Sequence, residues 1–209
     1  MSMGSYGAEY LGHERWLSYV AQINAVRDLR PRSVAEIGVG PRVVGNMVRA
    51  TYPGSSYTSI DIQAELEPDV CASVTDLPFP DRAFDVTYCC QVLEHLPFDM
   101  FGTALAELRR VTDKRVVVSL PDVTPFFFLR FRGSRRFLPW LWRGFDLPNP
   151  RPRQHDYATH GQHYWEIGAK DYPVRRILDA MTEQGLVVRD HYRMVERPYW
   201  HFFLLDVPQ

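Results

Sequence analysis

The sequence predicts an α/β fold built on a doubly wound, mostly parallel sheet. Three observations carry this. Strand-like and helix-like patterns alternate with short links from Ser33 to Leu120. The first strand runs straight into a glycine turn, Gly38-Val39-Gly40-Pro41, with a helical pattern behind it. The run Arg115–Leu120 is as continuously apolar as a strand buried on both faces should be.

Taken in order, Leu11, Trp16, Leu17, Val20, Ile23 and Val26 recur at helical spacing, predicting a helix over 11–29 that Pro31 breaks. Ser33–Ile37 is the first strand, and Val43–Tyr52 is a helix ended by Pro53-Gly54. Ser56–Ile62 is a second strand, Asp69–Val74 a short third, and Phe84–Cys90 a fourth. Phe98–Val111 is helical, anchored by Leu105 and Leu108, and Arg115–Leu120 is the fifth strand. The alternation then stops until a helix over Tyr172–Gln184, which Gly185 ends. Leu186–Tyr192 and Trp200–Val207 follow as a closing antiparallel pair.

Composition narrows the function classes. Of 209 residues, 45% are hydrophobic and 23% charged, enough for a folded core and ordinary for a globular protein. The 24 basic and 25 acidic residues leave a net charge of −1, so binding of nucleic acid driven by overall charge is not expected. Three cysteines at 71, 89 and 90 form neither a disulfide framework nor a metal-ligand spacing, which fits a reducing, cytoplasmic compartment. Met1–Gly12 has neither the basic flank nor the apolar run of a secretory signal.

Four constellations suggest chemistry. Glu36-Ile37-Gly38-Val39-Gly40 closes the first strand where glycines let a ligand approach the backbone and a helix start supplies N–H groups. Asp61 ends the second strand, where a carboxylate can accept from both hydroxyls of a ribose. Asp76-Leu77-Pro78-Phe79 could meet an exocyclic amine through the carboxylate and offer the Leu77 N–H, or be a surface turn. Phe84–Cys90 runs into Gln91-Val92-Leu93-Glu94-His95-Leu96 at the strand's carboxyl end, the edge where open sheets bind ligands.

Together these resemble the class I S-adenosylmethionine-dependent methyltransferases, in particular the small-molecule, ubiquinone-type group (methyltransferase type 11), over roughly residues 33–120. The resemblance implies a seven-stranded sheet, mostly parallel with an antiparallel last strand, and a substrate cap inserted after strand 5. It implies S-adenosyl-L-methionine as cofactor. Glu36, Gly38 and Gly40 would line its methionine and ribose side, and Asp61 would hold the ribose hydroxyls with Ile62 beside the adenine. Asp76 and Leu77 would meet the adenine edge, and Cys90 and Gln91 would approach the sulfonium. The chain departs from the family's third glycine, where it has Arg42, a side chain that could crowd the cofactor carboxylate or pair with it. A dinucleotide-binding Gly-x-Gly-x-x-Gly fits less well, because Val43 stands where the third glycine would be.

The chain reads as one domain over 1–209 with the cap at 121–170. Within 126–145 stand eight Phe or Trp interleaved with arginines. The segment reads as a cap core, as a peripheral membrane contact through 126–145, as a phosphate-reading surface, or as a stacking surface for single-stranded RNA. Its apolar character also leaves a homodimer contact open. Beyond it, His160, His163 and Glu166 are spaced three apart, but Gly161 weakens a helix there and methyl transfer needs no metal, so no metal is expected. His163 is the first candidate for a general base, with Glu166 as its orienter and His95 as the second candidate. The function expected is methyl transfer by in-line displacement to a small-molecule or lipid- or phosphate-linked acceptor. A non-catalytic interaction module and an RNA methyltransferase stand as alternatives.

Overall fold

A computed structural model describes residues 11–128, 144–146 and 163–209. Seven strands form one sheet: β1 (Ser33–Ile37), β2 (Ser56–Asp61), β3 (Val70–Cys71), β4 (Phe84–Cys90), β5 (Thr112–Pro121), β8 (Val187–Arg193) and β9 (Trp200–Asp206). Their spatial order is β3-β2-β1-β4-β5-β9-β8. The first five pair in parallel, while β9 pairs antiparallel with both β5 and β8. A separate two-stranded ribbon pairs β6 (Phe126–Phe128) with β7 (Gly144–Asp146).

Side-chain alternation along the strands builds two cores, one on each face of the sheet. Ala35, Cys89, Val116, Val118 and Phe203 pack against α3 (Phe101–Val111) and α4 (Val174–Glu183) through Leu105, Leu108, Ile177 and Met181. Val34, Val86, Val117 and Phe202, one residue out of phase, pack against α1 (His13–Asn24) and α2 (Val43–Thr51) through Ile23, Val44 and Val48. Strands covered by helices on both faces explain why β4 and β5 carry near-continuous burial. Arg115 on β5 is a buried charge. It bonds Asp206 at 2.7 Å, Asp28 at 2.8 Å and the Ala25 carbonyl at 2.8 Å, so its charge is paired and its donors are used.

Among the boundaries that differ from the sequence reading, three have a clear physical cause. The first helix ends at Asn24, because 25–29 continue as turns bonded Arg27 N–H to Asn24 O and Leu29 N–H to Val26 O. Apolar periodicity follows the buried face, which runs on through Val26, and is blind to that change in hydrogen bonding. The third strand shortens to two residues, since Ser73 bridges to Asp76 and turns the edge away. The fifth strand begins at Thr112 with no loop after α3: the Thr112 hydroxyl bonds the Leu108 carbonyl at 2.6 Å.

The arginine-rich part of the insert, with Arg130 to Arg143, and the stretch 147–162 that holds Arg151, Arg153 and His160 lie outside the described residues. The ends of the insert are fixed to the sheet, with Ile167 N–H bonding Pro121 O at 3.0 Å and Val123 N–H bonding Ile167 O at 2.9 Å. No helix among the described residues is long and apolar enough to cross a membrane.

Candidate active site

A cavity of about 390 Å³ opens at the carboxyl ends of β1, β2 and β4, roofed by α1 and bounded by Trp200 of β9. The chain reaches it by three sharp turns. At Gly38 φ is +85°, and an added Cβ would lie 2.3 Å from Val92 Cγ2, so only glycine lets the β1 and β4 turns sit this close. Gly40 has φ +48° and open space where a Cβ would project. Gln91 adopts a left-handed φ of +58°, held by its N–H on Ser119 O at 2.9 Å and its side-chain amide on the Ser119 hydroxyl at 3.3 Å.

Seven of the nine cofactor candidates line this cavity: Glu36, Gly38, Gly40, Asp61, Ile62, Cys90 and Gln91. Asp61 is buried, and its two carboxylate oxygens accept from the Val39 N–H at 2.9 Å and the Gln63 N–H at 2.9 Å. The β1 and β2 turns are thereby locked together, and each oxygen keeps a lone pair for a further donor. Ile62 beside it is 68% exposed, an apolar surface presented to the cavity. Glu36 accepts a hydrogen bond from the Tyr57 hydroxyl. Burial pushes its carboxyl up to about 8, against the lowering effect of the Tyr57 bond and with a smaller rise from the nearby Asp61 charge. Burial likewise pushes the Cys90 thiol up to about 12, so it is a neutral wall and not a nucleophile. The Tyr88 hydroxyl, also on the wall, is buried with no hydrogen-bond partner among the described residues.

The other two candidates do not line this cavity. Leu77 packs into the core beside α3, and its N–H is donated to Glu107 at 2.9 Å. Asp76 is exposed on the edge turn and does not line the cavity. The concern over Arg42 is also answered. Its backbone takes the left-handed conformation a glycine would take, with φ 60° at the start of α2. Its guanidinium turns away from the cavity and donates to the carbonyls of Leu66 and Glu67. The strain of a non-glycine residue at that φ is offset by bonds that fasten the loop after β2.

Next to this cavity lies the cluster around His163. His163 Nδ1 is 2.7 Å from Glu166 Oε1, which also accepts from the Tyr199 hydroxyl at 2.7 Å. The bond to Glu166 raises the His163 pKa, with burial opposing. His95 lines the cavity, and its ring meets that of His163 edge-on at 4.9 Å. The contact is set by the backbone: Tyr164 N–H bonds Glu94 O at 2.8 Å and Trp165 Nε1 bonds Leu96 O at 3.0 Å. Trp165 is fully buried against Phe98 and Phe101, which anchors the segment. The structure makes the His163–Glu166 contact without a helix.

Residues 35–119 match the family model described as a methyltransferase domain. A search of the curated proteins returns no match. Solved structures share the fold. The 1,6-didemethyltoxoflavin-N1-methyltransferase of Burkholderia thailandensis, solved with 1,6-didemethyltoxoflavin and S-adenosylhomocysteine, is 16% identical, with 96% of this chain and 84% of that one covered and a TM-score of 0.59. The N-methyltransferase NodS of Bradyrhizobium japonicum, in complex with S-adenosylhomocysteine, is 10% identical over 94% and 87% of the two chains, with a TM-score of 0.58. The magnesium protoporphyrin IX methyltransferase of Synechocystis, with bound S-adenosylmethionine, is 13% identical over 95% and 81%, with a TM-score of 0.56.

Proposed function

We propose that this chain, whose residues 35–119 match a methyltransferase domain, is a class I S-adenosylmethionine-dependent methyltransferase whose acceptor is a small molecule methylated on an oxygen that loses a proton. The observation that carries this reading is the imidazole of His163. Its Nδ1 is fixed on Glu166, and it stands beside His95 at the cavity edge.

The cavity fits the cofactor. Asp61 keeps lone pairs for two ribose hydroxyls, Ile62 offers an apolar face to the adenine, and Gly40 leaves room for close backbone approach. The Tyr88 hydroxyl adds a buried polar group for a ligand to satisfy. When bound, the cofactor supplies a methyl group on a sulfonium that is already a good leaving group. What remains for the protein is alignment, exclusion of water and management of the acceptor's proton. Glu166 holds the His163 ring so that Nε2 is the nitrogen left for that proton, and Tyr199 holds Glu166. An amine or thiol acceptor would have little need of this relay.

The test is transfer of a labelled methyl group from S-adenosylmethionine to a panel of small hydroxyl, amine and thiol acceptors. Label on hydroxyl compounds is the expected result. Transfer confined to amines or thiols would overturn the oxygen assignment.

Glu36 carries a second expectation. At pH 7 its carboxyl, raised to about 8, is mostly protonated. We place it on the methionine side of the cofactor, where the α-ammonium would favour the ionised form. Binding of S-adenosylhomocysteine should therefore release a proton, up to about one per site between pH 5 and 8. Calorimetry in buffers of different ionisation enthalpy reads this directly, and Glu36→Gln should abolish the buffer dependence. The linkage has the same sign for stability: the raised pKa makes the folded chain lose stability as pH rises from the ordinary glutamate value toward 8, and the Gln variant should flatten that slope. Buffer-independent binding heats in the wild type would show that no cation reaches Glu36.

A further inference from the structure

Glu94 is left without an explanation by the reading above. It is completely buried at the end of the turn after β4, and neither carboxylate oxygen has a hydrogen-bond partner among the described residues. A buried, unpartnered carboxylate is costly and needs a reason. Ligand atoms of Glu94, His95 and His163 all lie within 4.8 Å of one another. His163 comes from a segment distant in sequence and is held there by the bonds of Tyr164 and Trp165 to the turn of Glu94.

We propose that Glu94, His95 and His163 form a binding site for one divalent first-row metal ion at the wall of the cofactor cavity. Two imidazoles and one carboxylate are the donor set that zinc, iron(II), cobalt and manganese accept, and three protein ligands leave coordination positions open. Bonds of ~2.1 Å put neighbouring ligand atoms roughly 3 to 4 Å apart, so the cluster has to close by a fraction of its present span. His95 is exposed and His163 half-buried, which leaves both rings room to do so. The surroundings are those of a metal-ligating histidine. Glu166 takes the His163 Nδ1–H at 2.7 Å, leaving Nε2 for the ion, and Tyr199 in turn fixes Glu166. The ion would give the Glu94 oxygens the partner they lack.

The site rests on the methyltransferase reading for its purpose but not for its binding chemistry. His95 lines the cavity, so positions left open on the ion would be reached from it. They suit an acceptor bearing a hydroxyl, and best one with a second oxygen beside it to complete a chelate. The two roles of His163 Nε2 exclude each other: in the metal-free chain it takes the hydroxyl proton, and with the ion bound it would be a ligand while the charge of the ion would loosen that proton.

The test uses the full chain stripped with a chelator. It is titrated with cobalt(II) followed by visible absorption, then dialysed against zinc with metal content measured. S-adenosylhomocysteine affinity is measured on the same samples. The expected result is one equivalent of zinc, displacing cobalt, with Glu94→Gln and His95→Ala each weakening binding by at least about tenfold. Glu94→Gln preserves shape and His95→Ala changes an exposed residue, so both variants should fold, which circular dichroism checks. Absence of stoichiometric metal, or unchanged affinity in both variants, would overturn the proposal. If the wild type binds S-adenosylhomocysteine but no metal, only the metal inference fails. If it binds metal but not S-adenosylhomocysteine, the cavity assignment fails and the metal site stands.

Discussion

Replacing His163 by alanine cuts turnover by roughly 10²- to 10⁴-fold, the range for loss of a positioned proton-handling group, while affinity for S-adenosylhomocysteine stays nearly unchanged. The separation follows from position. His163 touches His95 and Glu166 beside the cavity and is not part of the wall made by the glycine turns, Asp61 and Ile62. Removing the ring also takes the Nδ1–H away from the buried Glu166, which costs about 1–3 kcal/mol of stability. Turnover is therefore to be measured below the unfolding transition, with Glu166→Gln as the companion variant. Gln keeps an oxygen for the Tyr199 hydroxyl but loses the charge that orients the imidazole, so its turnover should fall by about 10- to 100-fold. Loss of S-adenosylhomocysteine binding in His163→Ala, with turnover lost only in proportion, would place His163 in the cofactor pocket instead.

Asp61→Ala is expected to weaken S-adenosylhomocysteine by about 100-fold or more, since hydrogen bonds to a charged acceptor contribute ~1.5–3 kcal/mol each. Two effects add. The ribose hydroxyls lose their acceptor, and the N–H groups of Val39 and Gln63 lose the carboxylate that ties the two turns together. Asp61→Asn separates them. The amide keeps one oxygen for one turn and places an NH2 group against the donor of the other, so it should fall between wild type and Ala in affinity. Calorimetric titration reads both. Unchanged affinity in Asp61→Ala would remove Asp61 from the ribose site.

Where sequence expectation and structure part company, the reasons are specific. The Arg42 position looked like an obstacle because residue volume is visible in sequence and direction is not. The left-handed backbone swings the guanidinium onto the Leu66 and Glu67 carbonyls, away from the cavity. Leu77 was expected to offer its N–H to the adenine edge, on the resemblance of Asp76-Leu77-Pro78-Phe79 to the family's turn after the third strand. Its side chain is in fact core, and Glu107 on α3 has taken its N–H. Such occupancy depends on a helix lying 30 residues further along the chain, beyond the reach of local pattern.

The sheet and most of the cavity wall were legible from local information. Alternating apolar positions define strands whose two faces must both be covered, and Gly38 marks a close approach that any side chain would block. The carboxyl ends of parallel strands then converge on one edge, bringing Glu36, Asp61 and Gln91 together by topology alone. Glu94 was different. Its neighbour His95 drew the attention, and a lone glutamate in a turn gives no sign of being buried without a partner. Only the return of the chain after the insert, pinned by Trp165 in the core and by Ile167 on β5, carries His163 to Glu94 and His95. Local sequence determines strands and turns because their hydrogen bonds and steric limits are local. A cluster made from two distant segments depends on long-range packing, so tertiary structure alone decided it.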